Sequence, residues 1–197
     1  MPKTNGAGQA TTLTPQQMSR LLDAAPTPEH RCLWAVMRFT GSRVTETLRL
    51  TWGALHTDRI VFVRSTTKTK TTREPMIGAA LAAELAQYRQ HWSERHGRPA
   101  RAQDLVFPGR YGLLEPMTRQ AADMALRQTL ASIDPPLPSG IALHTFRRSL
   151  ATTMAQAGAS LVTVARFTGH ASLEQLRRYI DVSPSDELAA LDAIGGA

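Results

Sequence analysis

The sequence has little cysteine and no long apolar run. Its one cysteine, Cys32, excludes an internal disulfide and favours a reducing compartment, and its place on an apolar helical face predicts that it is buried. No stretch approaches the length of a membrane span, and no signal peptide opens the chain. We therefore expect a cytoplasmic protein that does not contact a membrane.

Lysine is also scarce, with three lysines beside 20 arginines. The formal net charge is +7 and the isoelectric point is about 10.5, which predicts a polyanionic partner. Arginine presents a planar fork of donors that suits phosphate oxygens, although a bias toward arginine is also typical of GC-rich genomes. The sequence shows neither an acidic metal cluster nor a glycine-rich phosphate loop, so we predict no metal and no cofactor.

The apolar pattern predicts an α+β fold that is mainly α-helical. With 42% hydrophobic residues, the 197 residues are enough for one folded domain. Residues 59–64 and 73–77 are rich in β-forming side chains and predict an antiparallel hairpin around a mobile loop. Capping residues predict three helices that begin at Thr14, Ser160 and Ser172. Apolar periodicity predicts five more, over residues 31–40, 43–52, 78–96, 118–133 and 145–157.

The two ends of the chain depart from this pattern. Residues 1–12 lack periodicity and predict a disordered tail, which leaves residues 13–182 as the main domain. Residues 183–197 predict a further helix with an apolar stripe formed by Leu188, Leu191 and Ile194. A stripe this short needs a surface to dock on.

Residues 141–182 carry the strongest chemical signal. His144 and Arg147 lie one turn apart at the start of a predicted helix, a Gly-His pair ends at His170, and Tyr179 follows nine residues later. Arginine can hold phosphate oxygens, histidine can move a proton near neutral pH, and a tyrosine hydroxyl can attack phosphorus. We expect glycine turns to bring these side chains together, with Arg147 exposed. Taken singly, each of them is more often a surface or packing residue.

Two further segments carry cations. Arg43 begins the predicted helix after Ser42, where a cation opposes the helix dipole unless an anion binds there. Glu46, one turn later, is placed to hold Arg43; the alternative is a surface ion pair of little energy. Lys68 and Lys70 lie on the hairpin loop and suit a proton donor or a phosphate contact, and the alternative there is a solvated polar turn.

These residues resemble the motifs of the tyrosine recombinases, the phage integrase family. TGSRVTETLRLTW resembles the first-arginine motif, TTKTKTTREPM the hairpin lysine, LHTFRRS the His-x-x-Arg motif, and FTGHASLEQLRRY the Gly-His motif and the tyrosine nucleophile. Their order and spacing agree from about residue 13 to residue 182. The resemblance implies the catalytic-domain fold of that family, with a small antiparallel hairpin.

The resemblance also implies a reaction. Tyr179 would attack the DNA backbone and form a 3′-phosphotyrosine, while Arg43 and Arg147 would clamp the non-bridging oxygens. The energy of the broken bond is conserved in the covalent intermediate, so religation needs no ATP. The implied activity is site-specific cleavage and rejoining of DNA.

Three residues are implied to handle protons or to contact the phosphate. Lys68, five residues before Arg73, would protonate the leaving oxygen, His144 would assist proton transfer at the tyrosine, and His170 would donate to the phosphate. Further DNA contacts are expected from basic residues near the motifs: Lys70, Arg73, Arg148, Arg166 and Arg177.

The partner implied by the resemblance is double-stranded DNA, bound by a homo-oligomer that is expected to be a tetramer on DNA and a monomer when free. Relatives dock a C-terminal helix on a neighbouring protomer, so we expect residues 183–197 to be exchanged in trans. Arg148 departs from the family pattern, which often has histidine there. The N-terminal helical domain usual in the family is not expected, and the size resembles the small recombinases that invert fimbrial promoter segments.

Two other functions stay open. MAQAGASLVTVARFTGH resembles a helix-turn-helix, which together with the positive charge would suit a non-catalytic DNA-binding regulator. A type IB-like nicking-closing topoisomerase would use the same chemistry as a recombinase. A covalent DNA adduct separates an enzyme from a regulator, and strand exchange separates a recombinase from a topoisomerase.

Overall fold

The computed structural model describes residues 10–63 and 72–169, together with Asp192. This part of the chain is mainly helical with a two-stranded antiparallel sheet, which confirms the predicted fold class. The sheet pairs β1 (Pro108–Gly109) with β2 (Gly112–Pro116). The helices in chain order are α1 (Pro15–Asp23), α2 (Pro28–Thr40), α3 (Val44–Thr47), a 3-10 turn at Trp52–Ala54, α4 (Ala79–His96), α5 (Arg119–Ser132), α6 (Thr145–Gln156) and α7 (Leu161–Thr168).

Helix α2 is the centre of the core. All residues from 32 to 37 are buried, so no side of this stretch faces water. Helices α1, α4 and α6 pack against it. Trp34 stacks near Phe146 of α6 with ring centroids 6.3 Å apart, and Cys32 is buried as predicted. A helix enclosed in this way holds its own carboxyl end, at Thr40, in a fixed place among the other elements.

Capping residues account for most of the helix boundaries. Gly41 ends α2 in the left-handed conformation, with φ of 60°. Helix α2 begins at Pro28 rather than at residue 31, because the Thr27 side chain caps it there. Three other predicted N-caps accept hydrogen bonds from the first turns of α1, α5 and α7: Thr14, Thr118 and Ser160.

The helix predicted over residues 43–52 is much shorter in the structure. Helix α3 has four residues, and Arg43 is its N-cap rather than its first residue. Beyond α3 the backbone pairs with a distant segment: Trp52 N donates to Asp104 O (3.0 Å) and Val106 N donates to Leu50 O (2.9 Å). These long-range bonds replace the helical ones that local periodicity predicts.

The predicted hairpin pairs in the expected antiparallel sense. Isolated bridges join Arg59 to Met76 and Phe62 to Arg73. The regular sheet, β1 with β2, instead forms further along the chain, between α4 and α5. The hairpin loop with Lys68, within residues 64–71, lies outside the described residues.

Part of the predicted N-terminal tail lies against the domain. Thr11 N donates to Gly140 O (3.1 Å), and Leu13 N donates to Ser149 Oγ (2.8 Å). The prediction of disorder is therefore wrong for residues 10–12, and residues 1–9 lie outside the described residues. The helix predicted from Ser172 and the segment 183–197 fall outside the described residues, except for Asp192.

Candidate active site

The turn after α2, residues 40–43, is where α2, α6 and α7 meet. A Cβ added at Gly41 would lie 3.2 Å from Leu150 Cδ2 on α6 and 3.2 Å from Thr168 Cγ2 on α7. Glycine is therefore favoured both by the left-handed backbone and by the close approach of the two helices. The carbonyl groups of Thr40 and Gly41 accept hydrogen bonds from arginines that come from other parts of the chain.

Arg147 is one of these arginines, and the prediction that it is exposed is wrong. It is 2% exposed, and its Nη1 donates a 2.8 Å hydrogen bond to Gly41 O. A carbonyl at the carboxyl end of a helix suits a cation, because the helix dipole makes that end negative. The bond joins residues 106 positions apart, a contact that helical periodicity does not reveal.

Arg43 is held by Glu46, as the sequence predicts. Glu46 Oε1 lies 2.8 Å from Arg43 Nη1, and Oε2 accepts a 3.0 Å hydrogen bond from Arg43 N. Burial by itself raises the pKa of the Glu46 carboxyl, but the hydrogen bonds and charge of Arg43, with the charge of Arg73, bring the pKa below its usual value. Because Glu46 is only 2% exposed, the alternative of a weak surface pair is wrong. The carboxylate fixes the guanidinium of Arg43 from the protein side.

His144 is the N-cap of α6 and is exposed. Its pKa is lowered from 6.5 to about 4, first through desolvation by the surrounding protein and then through the positive charge of four arginines: Arg147, Arg43, Arg148 and Arg119. The imidazole is therefore neutral at neutral pH and can accept a proton. A bound phosphate would offset the arginine charge and raise the pKa again.

Two of the basic residues predicted to contact DNA make hydrogen bonds within the protein. The side chain of Arg73 is 9% exposed and donates to the carbonyls of Thr40 and Phe167. Arg148 donates from Nη1 to the carbonyl of Ala10. Arg166 is exposed in the last turn of α7. Five predicted site residues lie outside the described part of the chain: Lys68, Lys70, His170, Arg177 and Tyr179.

Arg119 is a cation near the site that sequence reasoning missed. It is the first residue of α5, it is exposed, and its charge lowers the pKa of His144. The sequence did contain a signal for Arg119. A cation at the amino end of a helix opposes the helix dipole, and the same argument indicated an anion site at Arg43 of α3. The described part of the site therefore collects arginine charge around a buried carboxylate, which suits an anion such as a phosphodiester.

Among the residues that the structure describes, no group of His, Cys, Asp or Glu side chains could hold a metal ion. Within the same ranges, no helix is long and apolar enough to cross a membrane.

Comparison with known proteins identifies the family. The model of the phage integrase family matches residues 11–186, which is most of the chain. The chain belongs to the phage integrase family. This confirms the resemblance to tyrosine recombinases that the motifs indicate.

Two curated members of the family show how much of such proteins the chain covers. It is 29% identical over 172 residues to the integrase of Escherichia phage P2, a match that spans 87% of this chain and 43% of the relative. It is 31% identical over 185 residues to the tyrosine recombinase XerD of Chlorobaculum tepidum, spanning 88% of this chain and 58% of that protein. The chain thus spans about half the length of these relatives.

A solved structure of a family member has the same fold. The XerH site-specific recombinase, bound to its difH substrate in a pre-cleavage complex, superposes with a TM-score of 0.73 at 22% identity. The match covers 92% of this chain and 53% of that chain. The present chain therefore has the tyrosine recombinase catalytic-domain fold that its sequence predicts.

Proposed function

We propose that this phage integrase family member cleaves and rejoins double-stranded DNA at specific sites through a covalent bond to Tyr179. The observation that carries the proposal is the anchoring of two arginines on one turn: Arg147 on the Gly41 carbonyl, and Arg43 on Glu46. Both are contributed by segments that match the family's arginine motifs.

The arginines suit the charge that develops during attack on phosphorus. A phosphodiester gains negative charge on its non-bridging oxygens as the nucleophile approaches, and donors that are already fixed stabilise that charge without reorganising. Glu46 and the Gly41 carbonyl do this fixing before any substrate arrives. No metal is needed in such a scheme, because the guanidinium groups supply the positive charge.

The Tyr179 oxygen forms a bond to phosphorus on the 3′ side while the bond from phosphorus to the 5′ oxygen breaks. The tyrosine proton passes to neutral His144, the departing 5′ oxygen takes a proton from Lys68, and His170 donates a hydrogen bond to the phosphate. Religation is the reverse reaction and needs no ATP. The roles of Lys68, His170 and Tyr179 rest on the sequence motifs.

The proposed partner is DNA, acted on by several copies of the chain. The net charge of +7 favours such a partner, and the Tn1549 transposon integrase, which has a similar fold, is in complex with a circular intermediate DNA. We infer a homo-oligomer on DNA, a tetramer by analogy with the family, and a monomer in free solution. The compartment is that of the DNA, the cytoplasm.

Trapping a covalent complex tests the proposal. Binding sites would first be enriched from a random DNA pool, then nicked so that cleavage releases a short fragment and traps the adduct. The protein should form a DNA-linked species on a denaturing gel with EDTA present, and Tyr179→Phe should form none while still binding DNA. Tyr111→Phe is the matched control, because Tyr111 is an exposed tyrosine and should leave the adduct unchanged. An adduct in Tyr179→Phe would refute the assignment.

The proton donor has a separate test. A substrate with sulfur in the 5′-bridging position releases a thiolate, which needs little protonation. Lys68→Ala should be slow on normal DNA and regain most of its rate on the sulfur substrate. Lys70→Ala is the matched control on the same loop and should show no such recovery. If neither variant is rescued, both lysines are ordinary phosphate contacts.

A non-catalytic regulator is the second candidate, because α6 and α7 are joined by a turn at Gly158 with φ of 84°, which is the connectivity of a helix-turn-helix. A regulator would bind the enriched DNA and give no adduct with the unaltered protein. A nicking-closing topoisomerase would give the adduct and relax supercoils without exchanging strands.

A further inference from the structure

Arg73 joins three parts of the candidate site. Its Nη1 donates 2.7 Å hydrogen bonds both to Thr40 O, at the end of α2, and to Phe167 O, near the end of α7. Its Nη2 lies 3.5 Å from Glu46 Oε2, so this contact is an ion pair rather than a good hydrogen bond. Its Cζ lies 4.7 Å from the centre of the Phe62 ring, on the opposite hairpin segment.

These contacts use features that only arginine has. The carbonyls at the ends of two helices and a buried carboxylate all favour a cation, and the planar fork reaches them from one position. A lysine would bring the same charge at a single point and could not satisfy all three. The lowered pKa of Arg73, about 10, reflects its burial, opposed by the charge of Glu46, and leaves it protonated at neutral pH.

The end of α7, at Gly169, lies close to the Arg73 side chain. A Cβ at Gly169 would lie 2.9 Å from Arg73 Cδ and 3.2 Å from Nε, and φ there is 73°. The Gly-His motif therefore has its glycine where the chain passes directly over the Arg73 stem. The position of the end of α7 depends on Arg73 being in place.

We propose that Arg73 is a positioning residue for the cleavage reaction: it fixes Glu46, and through Glu46 the guanidinium of Arg43, while it ties the end of α7 to the same turn. This assigns Arg73 a role in the site other than the DNA contact that the sequence suggests. The inference rests on the proposed function, because it concerns how Arg43 is held for the phosphate.

The test compares two DNA substrates in single-turnover cleavage, one normal and one with a methylphosphonate at the scissile position. The neutral methylphosphonate lacks the charge that Arg43 stabilises, so Arg43→Ala should be slowed about 10²–10³-fold on normal DNA and far less on the analogue. Arg73→Lys should cleave normal DNA about 10–100-fold more slowly than the unaltered protein, because the substitution displaces Arg43. This reduction in rate should be smaller on the methylphosphonate substrate. Equal losses on both substrates would overturn the proposal, since a general weakening of the fold does not depend on phosphate charge.

Arg98→Lys is the matched control. Arg98 pairs with buried Asp104 at 2.7 Å and lies over Trp92, so its loss should weaken the fold without changing the ratio of rates on the two substrates. If Arg73→Lys does not fold, Gly169→Ala replaces it, because the added methyl would displace the Arg73 stem and keep its charge; the same substrate-dependent loss is expected. Normal cleavage by Arg43→Ala would instead refute the proposed function.

Discussion

At the scale of single residues, His144 shows how the fold sets chemistry. Its pKa falls from 6.5 to about 4 because of desolvation and the charge of nearby arginines. Between these two values the unfolded chain binds a proton at this position and the folded chain does not. Lowering the pH through this window therefore removes stability, and the loss is complete only below the folded pKa.

Replacing His144 should make stability less dependent on pH. His144→Asn has no titrating ring, so its free energy of unfolding should fall less than that of the unaltered protein as the pH drops from 6.5 to about 4. Above pH 6.5 the imidazole is neutral in both the folded and the unfolded chain. The free energies of unfolding of the variant and of the unaltered protein should therefore change with pH in parallel. Urea unfolding at a series of pH values measures this. Parallel curves through the acid range would show that the ring keeps its ordinary pKa.

Glu46 gives a second prediction at this scale. Glu46→Gln should lower the free energy of unfolding by about 3 kcal/mol, because it leaves the guanidinium groups of Arg43 and Arg73 without their buried anion. Glu74→Gln is the control: Glu74 pairs with Arg59, both are 47% exposed, and the loss should be at most about 1 kcal/mol. Denaturant unfolding of both variants measures these losses. Similarly small losses would mean that Glu46 stabilises the fold no more than a surface carboxylate does.

Sequence reasoning succeeded for contacts that are local. Arg43 and Glu46 are three residues apart, so a short helix brings them together and the pattern reveals the pair. It failed for Arg147, whose partner is 106 positions away, and for Arg73, whose two carbonyl partners are 33 and 94 positions away. A buried arginine looks like a surface one until the carbonyls that it meets are known.

At the scale of secondary-structure elements, the same division holds. Helices such as α1, α4 and α5 were predictable, because their boundary residues and their apolar faces lie within one short segment of the sequence. Helix α3 was predicted too long, because Leu50 and Trp52 fit a helical stripe while their backbone groups bond to the segment around Asp104. Tertiary pairing overrode a local preference there.

The end of α7 offers a prediction with a matched control. Gly169→Ala places a side chain on a left-handed backbone and 2.9 Å from Arg73 Cδ, whereas Gly97→Ala, with φ of 64°, meets no described atom within 4 Å. The control should lose about 1 kcal/mol of stability for the backbone alone. Gly169→Ala should lose roughly 1–3 kcal/mol more through overpacking. Thermal unfolding compares the two, and equal losses would mean that Arg73 moves aside at little cost.

At the scale of the whole molecule, two features matter: the net charge, and the share of its relatives that the chain spans. The described part of the site gathers positive charge, and the chain carries a net charge of +7, which favours contact with DNA. The chain spans about half the length of the curated relatives that it matches. If the chain recombines DNA as proposed, several active sites must act in one complex, and contacts between copies of this chain would supply part of that assembly.

The predicted helix at residues 183–197 is our candidate for that contact. Its apolar stripe of Leu188, Leu191 and Ile194 would bury three aliphatic side chains, worth roughly 1.5–3 kcal/mol each. That is too little to hold two free copies together against the entropy of association, and enough to add affinity between copies already held side by side on DNA. We therefore expect a monomer in free solution and cooperative binding on DNA with two adjacent sites.

Removing residues 184–197 should separate these two effects. The shortened chain should bind a single-site DNA with nearly unchanged affinity, while the cooperativity on two-site DNA should fall by at least about tenfold, since each 1.4 kcal/mol lost is a factor of ten. Asp192→Asn is the control, because Asp192 is exposed and lies between the apolar positions, so it should keep full cooperativity. Gel-shift titrations on the two DNAs measure both quantities. If the shortened chain binds the two-site DNA as cooperatively as the full chain, the contact between copies lies elsewhere on the domain.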